Sequence, residues 1–139
     1  KKYCILRPTL IFGKDDTHNG YGPNKFVTEI KKNNNIRLYG KGEELRDHIH
    51  IDEVITVIRI ASEKKLKGIY NLSTGKCNSF LKIAKYLINI TKSNSKIVFQ
   101  KRNQPMPHLG IRKLSNKKIM GTIKNFKIDD IKVNLKKLI

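Results

Sequence analysis

Apolar positions along the chain keep switching between two periods. From Lys2 to Phe12, isoleucine, leucine and tyrosine alternate weakly, as in a mostly buried strand, and Gly13 ends the run. A polar loop follows from Lys14 to Gly22. Pro23 stands where the first turn of a helix accepts proline, and that helix runs to about Lys32 with Phe26, Val27 and Ile30 on one face. Asn33-Asn34-Asn35 reads as a turn and Ile36 to Tyr39 as a short strand. The glycines at 40 and 42 permit positive φ, so that strand runs into a tight loop. A second short alternating strand comes next. Asp52 is the expected cap of a helix from Glu53 to about Lys64, whose Val54, Ile55, Val57, Ile58, Ile60 and Ala61 predict burial on most sides. Gly68 stops it, Ile69 to Leu72 form a strand, and Ser73-Thr74-Gly75 turn the chain. Ser79 then caps a helix with Phe80, Ile83, Ala84, Leu87 and Ile88 inward and Lys82, Lys85 and Asn89 outward. Lys96 to Gln100 is the last expected strand and Lys101 to His108 a loop. A final helix starts near Asp129, with Ile128, Ile131, Leu135 and Leu138 as its stripe.

Length and composition narrow the class. A chain of 139 residues supports one core and is too short for two ordinary domains. With 38% hydrophobic and 29% charged residues it reads as soluble and globular, and no apolar run reaches membrane-spanning length. It starts at lysine and enters a strand within three residues, which predicts a piece of a longer protein. Cys4 and Cys77 are too few for a disulfide framework and fit a reducing, cytoplasmic compartment. The net charge of +19 invites a basic nucleic-acid-binding module as the competing reading. Against it, the lysines are scattered rather than clustered, and the aromatic residues fall mostly on core faces instead of interleaving with arginine. No specific nucleic-acid partner is expected.

Candidate chemistry concentrates beyond the Gly40/Gly42 loop. Arg46 offers a planar fork of donors that suits phosphate or carboxylate; its other reading is a structural pair with Asp47. His48 and His50 share one strand face, which with His18 or His108 would suggest a metal. Tyr21 and Lys25 have the Tyr-x-x-x-Lys spacing of a proton-transfer pair. Gly22 and Pro23 between them forbid the mid-helix setting such a pair needs, so no catalytic residue is assigned.

Four segments together resemble one family. They are Leu6-Arg7-Pro8-Thr9 with Phe12-Gly13, then Tyr21-Gly22-Pro23-Asn24-Lys25-Phe26, then Tyr39-Gly40-Lys41-Gly42 followed by Arg46-Asp47-His48-Ile49-His50-Ile51-Asp52-Glu53-Val54, then Gly68 to Gly75. Their order is similar to that of the extended short-chain dehydrogenase/reductases, the NAD-dependent sugar-nucleotide epimerases and dehydratases, well over residues 3 to 90 and loosely beyond. The resemblance implies an α/β fold, the edge of a Rossmann-type parallel sheet with a small C-terminal substrate-binding cap. Residues 1–13 and 49–75 would give the outer strands and helix of the sheet, and 14–48 and 76–139 the cap. It further implies the C-terminal, substrate-binding part of the enzyme, inactive alone, holding a nucleoside diphosphate-sugar. NAD and a Tyr/Lys pair would come from sequence before Lys1, since no Gly-x-x-Gly-x-x-Gly turn is present here; the whole enzyme would be a homodimer. By the same resemblance Asn24, Arg46 and Arg102 contact the diphosphate, with Lys101 in reserve, and Leu38 and Tyr39 flank the base. Pro8 and Thr9 pass close to the nicotinamide. The family has packing residues at the positions of His48 and His50, which implies satisfied structural histidines, and no metal ligand is assigned. Asn24 as a simple helix cap, Tyr39 as core packing and Arg102 in a merely solvated loop are the plain alternatives. Leu10 departs from the family's asparagine, and Ser115 stands where the family has aspartate, leaving Arg112 unassigned.

Overall fold

Thr9 splits the first apolar run in two. The computed structural model describes residues 3–18, 20–124 and 126–139. In it β1 (Cys4–Pro8) ends at the proline, which has no N–H for a ladder, and β2 (Leu10–Phe12) resumes on a different neighbour. β1 runs parallel to β5 (Gly68–Leu72), whereas β2 runs parallel to the second half of β4 (Leu45–His50). Thr9 makes the switch: its N–H donates to Leu72 O at 3.0 Å and its hydroxyl to Asp47 O at 2.8 Å. The single strand expected over residues 2–12 is therefore two strands, with Lys2 outside the described residues. Its expected burial does not hold either. Tyr3, Ile5 and Ile69 lie on one face of the β1/β5 pair, and among the described residues nothing covers them, so all three are exposed.

The strand β4 organises everything else. Its first half lies between β6 (Cys77–Ser79), antiparallel, and β8 (Ile111–Arg112), parallel, so that Arg46 faces Asn78 on one side and Arg112 on the other. Neither short strand shows a readable period in the sequence. A separate parallel pair joins β3 (Ile36–Tyr39) to β7 (Ile97–Gln100).

The helices α1 (Pro23–Lys31) and α3 (Phe80–Thr91) fall where the apolar period puts them, with Pro23 in the first turn of one and the Ser79 hydroxyl accepting the Lys82 N–H at 3.1 Å in the other. The helix α2 (Ile51–Glu63) starts earlier than expected because His50, not Asp52, is its cap. His50 Nδ1 accepts the Asp52 N–H at 3.2 Å and the Glu53 carboxylate accepts the His50 N–H at 3.1 Å, a capping box with histidine in the usual serine or threonine place. It is also less buried than its composition predicts: Val54, Val57 and Ala61 are inside, Ile55 and Ile58 outside. The short α4 (Lys117–Thr122) is not foreshadowed by periodicity, and α5 (Ile131–Lys136) begins after an Asp130 cap.

Two cores result. One packs α1, α3, β3 and α5 around Phe12, Phe26, Leu38, Phe80, Leu87 and Leu135. The other packs α2, β5 and α4 through Val57, Tyr70, Leu72, Ile119 and Ile123, together with Ile49. Ile119 and Ile123 thus pack on the sheet side although the sequence reading groups them with the cap, and Phe12 crosses the other way. Asp47, fully buried in β4, ties the regions together. Its Oδ1 accepts the Thr74 N–H at 3.1 Å and hydroxyl at 2.7 Å, and its Oδ2 accepts the Gly75 N–H at 2.8 Å. The outcome is an α/β fold with parallel strand pairs. Among the described residues no helix is long and apolar enough to cross a membrane.

Candidate functional site

The loop before β4 is held by its own backbone. Gly42, at φ 68°, donates its N–H to Tyr39 O at 3.0 Å while its carbonyl accepts the Leu81 N–H at 2.9 Å, and a side chain there would meet Leu38 Cδ1 at 2.7 Å. The chain then enters β4 with Glu44 and Arg46, two residues apart, on the same face. Arg46 is 5% exposed. Its Nη1 donates to Leu45 O at 2.9 Å and Gly110 O at 3.1 Å; its Nη2 donates to Pro107 O at 3.1 Å and Glu44 Oε2 at 2.5 Å. The acidic partner of Arg46 is therefore Glu44. The Arg46–Asp47 pair does not form, because adjacent strand residues point to opposite faces and Asp47 turns toward Thr74.

Arg102, in the loop after β7, reaches the same carboxylate from the other side and pairs with Glu44 Oε1. Its Nη2 donates to Tyr39 O at 3.4 Å, and its guanidinium carbon lies 6.0 Å from the Tyr39 ring centre, within cation–π range. Glu43 faces solvent and accepts the Lys41 N–H at 2.6 Å. Tyr39 itself is 46% exposed and donates its N–H to the Tyr21 hydroxyl at 3.3 Å. Beside them opens a cavity of about 790 Å³ whose walls include Tyr21, Lys25, Arg37, Tyr39, Val98 and Gln100. Its size suits a nucleoside, and it offers an aromatic face next to donors and acceptors. Burial pushes the Tyr21 phenol up to about 12, and Lys25 is paired with Glu29 at 2.9 Å, so the Tyr-x-x-x-Lys spacing here is not a poised proton-transfer pair.

The other sequence-predicted residues are placed differently. Leu38 is 0% exposed inside the first core, so only its backbone can meet a ligand. Asn24 staples Gly13, donating Nδ2–H to its carbonyl at 2.5 Å and accepting its N–H at 3.3 Å; it lines a smaller cavity of about 180 Å³ with Leu10, Tyr21 and His48. Pro8 is exposed at the end of β1, and the Thr9 hydroxyl is engaged by Asp47. Lys101 is exposed. His48 and His50 do share a face and are both buried, with Phe12 edge-on at 6.3 and 5.3 Å. Among the described residues no side chain or backbone group meets either His48 ring nitrogen in good hydrogen-bond geometry, and burial drives the ring from its ordinary 6.5 to about 4, with the nearby Arg46 backbone opposing the shift. Among the described residues no three His, Cys, Asp or Glu side chains gather as a metal-binding group. Glu44 is the site residue that sequence reasoning missed. Its signal was available, a carboxylate two positions before an arginine on a strand.

A unit of α/β type with parallel strand pairs defines the class, a Rossmann-like fragment. The pattern of the NAD dependent epimerase/dehydratase family matches residues 1–73, and the chain belongs to that family. It is 35% identical over 95 residues to the ADP-L-glycero-D-manno-heptose-6-epimerase of Brachyspira hyodysenteriae, an alignment that takes in 65% of this chain and 30% of that protein. Among solved structures, it superposes with a TM-score of 0.85 at 20% identity on the UDP-N-acetylglucosamine 4-epimerase of Methanobrevibacter ruminantium in complex with UDP-N-acetylmuramic acid, over 98% of this chain and 44% of that one. The UDP-glucuronic acid 4-epimerase of Bacillus cereus, in complex with UDP-glucuronic acid and NAD, gives 0.82 at 19% identity over 96% of this chain and 42% of that one. The chain spans less than half the length of these relatives. Residues 74–139 lie outside the family match, while the structural likeness extends through them.

Proposed function

We propose that this chain is the substrate-side, C-terminal part of an NAD-dependent sugar-nucleotide epimerase or dehydratase and holds the nucleoside diphosphate of the sugar nucleotide. One observation carries the reading: Arg46 and Arg102, far apart in sequence, converge on one carboxylate, and Arg102 also reaches Tyr39, which lines a nucleoside-sized cavity. Two guanidinium forks against a single buried carboxylate leave a positive charge where a diphosphate would lie. The base then rests against Tyr39, beside the backbone of Leu38. Asn24 has its amide engaged by Gly13 and acts here by fixing the start of α1. Anchoring the diphosphate remote from the reacting sugar carbon lets binding energy serve the chemistry.

NAD, when bound, supplies the hydride acceptor. The residues here do not form its pyrophosphate cradle: among the described residues no strand turns through a glycine-rich corner directly into a helix. Pro8 and Thr9 are at most the border of that site, so this chain binds and orients the sugar nucleotide and no catalytic step is assigned to it. Homodimerisation belongs to the longer enzyme, and the free thiols of Cys4 and Cys77 fit a reducing cytoplasm.

Calorimetric titration of UDP, ADP, GDP and dTDP into the full-length protein tests the reading. Arg46→Ala and Arg102→Ala should each weaken the preferred diphosphate, Arg46→Ala by roughly 2 to 4 kcal/mol, about thirtyfold to a thousandfold. Arg46→Lys should recover only part of this, since an ammonium keeps the charge but cannot also hold the Leu45, Gly110 and Pro107 carbonyls that aim the guanidinium. If Arg46→Ala lowers the melting temperature yet keeps affinity within about twofold, Arg46 is purely structural. Micromolar NAD binding by the 139-residue chain alone, without nucleoside diphosphate binding, would assign it instead to the dinucleotide side.

A further inference from the structure

Glu44 sits where the proposed ligand's charge would sit. It is 7% exposed, and its two oxygens are divided between two arginines, Oε2 on Arg46 Nη2 and Oε1 on Arg102 Nη1. Strand facing sets Glu44 beside Arg46, but no sequence-local reason brings Arg102 to them. Arg46 belongs to β4 and Arg102 to the loop after β7, and each also donates to a backbone carbonyl, Arg46 to Pro107 and Gly110 and Arg102 to Tyr39. The carbonyls fix the Arg46 fork in place independently of Glu44, while Arg102 has one longer contact, 3.4 Å to Tyr39 O. What Glu44 adds is charge, and it adds one negative charge against two positive ones.

We propose that Glu44 is a built-in counter-anion that a ligand must displace from Arg46 and Arg102, and that it thereby selects ligands carrying two linked phosphates over those carrying one. The proposal rests on the diphosphate reading of the two arginines. A carboxylate that already satisfies both forks makes the binding-competent arrangement a minor fraction of the free protein, so the apparent affinity of every anion falls by that fraction. A diphosphate offers a separate phosphoryl group to each fork and replaces both contacts at once. A monophosphate can replace one and leaves the carboxylate beside the other, where its negative charge repels the newcomer. Discrimination by an internal competitor of this kind is a repulsive element, which acts on the wrong ligand more than on the right one. Asp47 cannot serve in this way, because its oxygens are held by Thr74 and Gly75 on the opposite face. Neither can Glu43, which is exposed and turned to the Lys41 N–H.

The test uses the full-length protein and Glu44→Gln, which keeps the side-chain size and one acceptor while removing the charge. Calorimetry with UDP, UMP and uridine, and with the adenosine, guanosine and thymidine series, should show the preferred diphosphate binding about tenfold tighter to Glu44→Gln than to wild type. The monophosphate should gain more than the diphosphate, so that the diphosphate-to-monophosphate ratio narrows, and the uncharged nucleoside should be unchanged. A folded Glu44→Gln whose diphosphate affinity is unchanged or weaker overturns the proposal and makes Glu44 a strut for the arginines. Wild type supplies a second measurement that needs no variant. In a crystal structure with UDP, or whichever diphosphate binds, the Glu44 carboxylate should have left both guanidinium groups; if both contacts persist with the ligand bound, the proposal fails. Should wild type bind none of the four nucleoside diphosphates, the diphosphate reading itself falls, a result distinct from either outcome for Glu44.

Discussion

The two cores of this molecule differ in how far they close on themselves. In the first, α1, α3, β3 and α5 surround their apolar side chains with other parts of the same chain, and Phe26, Leu38, Ile83 and Leu87 are almost wholly buried. In the second, α2 and α4 cover one face of β1/β5, while Tyr3, Ile5 and Ile69 remain open on the other and Ile55 and Ile58 on the outer side of α2. Parallel strands are ordinarily covered on both faces. The difference teaches that helical layers on several sides close a core within these residues, whereas a two-stranded parallel pair with helices on one face does not.

The largest effect should come from cutting into the closed core. Phe80 touches both sides of it, 6.2 Å from the Phe26 ring centre and 4.5 Å from that of Tyr21. Phe80→Ala should cost about 3 to 5 kcal/mol in urea unfolding, by lost transfer energy plus the cavity left behind. A cost under about 1 kcal/mol would show the first core to be as loosely packed as the second.

Much of that closed core was legible in the sequence, and the reason is periodicity. Helical spacing in Phe26, Val27 and Ile30, and again in Phe80, Ile83, Ala84 and Leu87, was long enough to fix both the elements and their inner faces. Short elements without a repeating period were not legible: β6 has three residues, β8 two, and α4 six. Caps outside the common residue types were also missed, as with His50. At the site, Arg46, Arg102 and Tyr39 could be named from the resemblance, but Glu44 could not. Strand facing could have set Glu44 beside Arg46, but that the same carboxylate also meets Arg102 depends on tertiary structure.

Joining the regions, Asp47 should matter next most. Asp47→Ala leaves the Thr74 and Gly75 N–H groups without their acceptor in a part-buried place and should cost about 2 to 3 kcal/mol. Native-state hydrogen exchange should show the Thr74 and Gly75 amides accelerating more than those of α3; uniform acceleration would mean that Asp47 serves the whole fold and not the junction.

His48 offers a contrast in pH. With its folded value near 4 and an unfolded value of 6.5, the unfolded chain binds a proton that the native protein does not throughout the window between them. Stability therefore falls as pH drops through that window, by about 2 kcal/mol between pH 7 and pH 5. His50, also lowered by burial, works in the same direction, though its Asp52 neighbour opposes the shift. Replacing His48 with phenylalanine, which suits a pocket already edged by Phe12 and Phe80, should remove most of the acid sensitivity in melts at pH 5 and 7. An unchanged slope would locate the sensitivity elsewhere.

The smallest effect is the most informative about the open face. Ile69 pairs with Ile5 across β1 and β5, yet it is 42% exposed and nothing among the described residues covers it. Ile69→Thr keeps the β-branched shape that strands favour and removes apolar surface that is mostly in water already. In the 139-residue chain the change should stay within about 0.5 kcal/mol and reduce the tendency of the open face to associate. If a further layer covers this face in the longer protein, the same substitution there buries a hydroxyl with no partner and should cost about 1 to 3 kcal/mol. Measuring Ile69→Thr by urea unfolding in both forms gives the comparison directly. Equal small costs would mean that the face remains in solvent, and a parallel pair covered on one face would then be this fold's final state. A large cost in the longer form alone would show that the second core differs from the first by what covers it and not by the quality of its own residues.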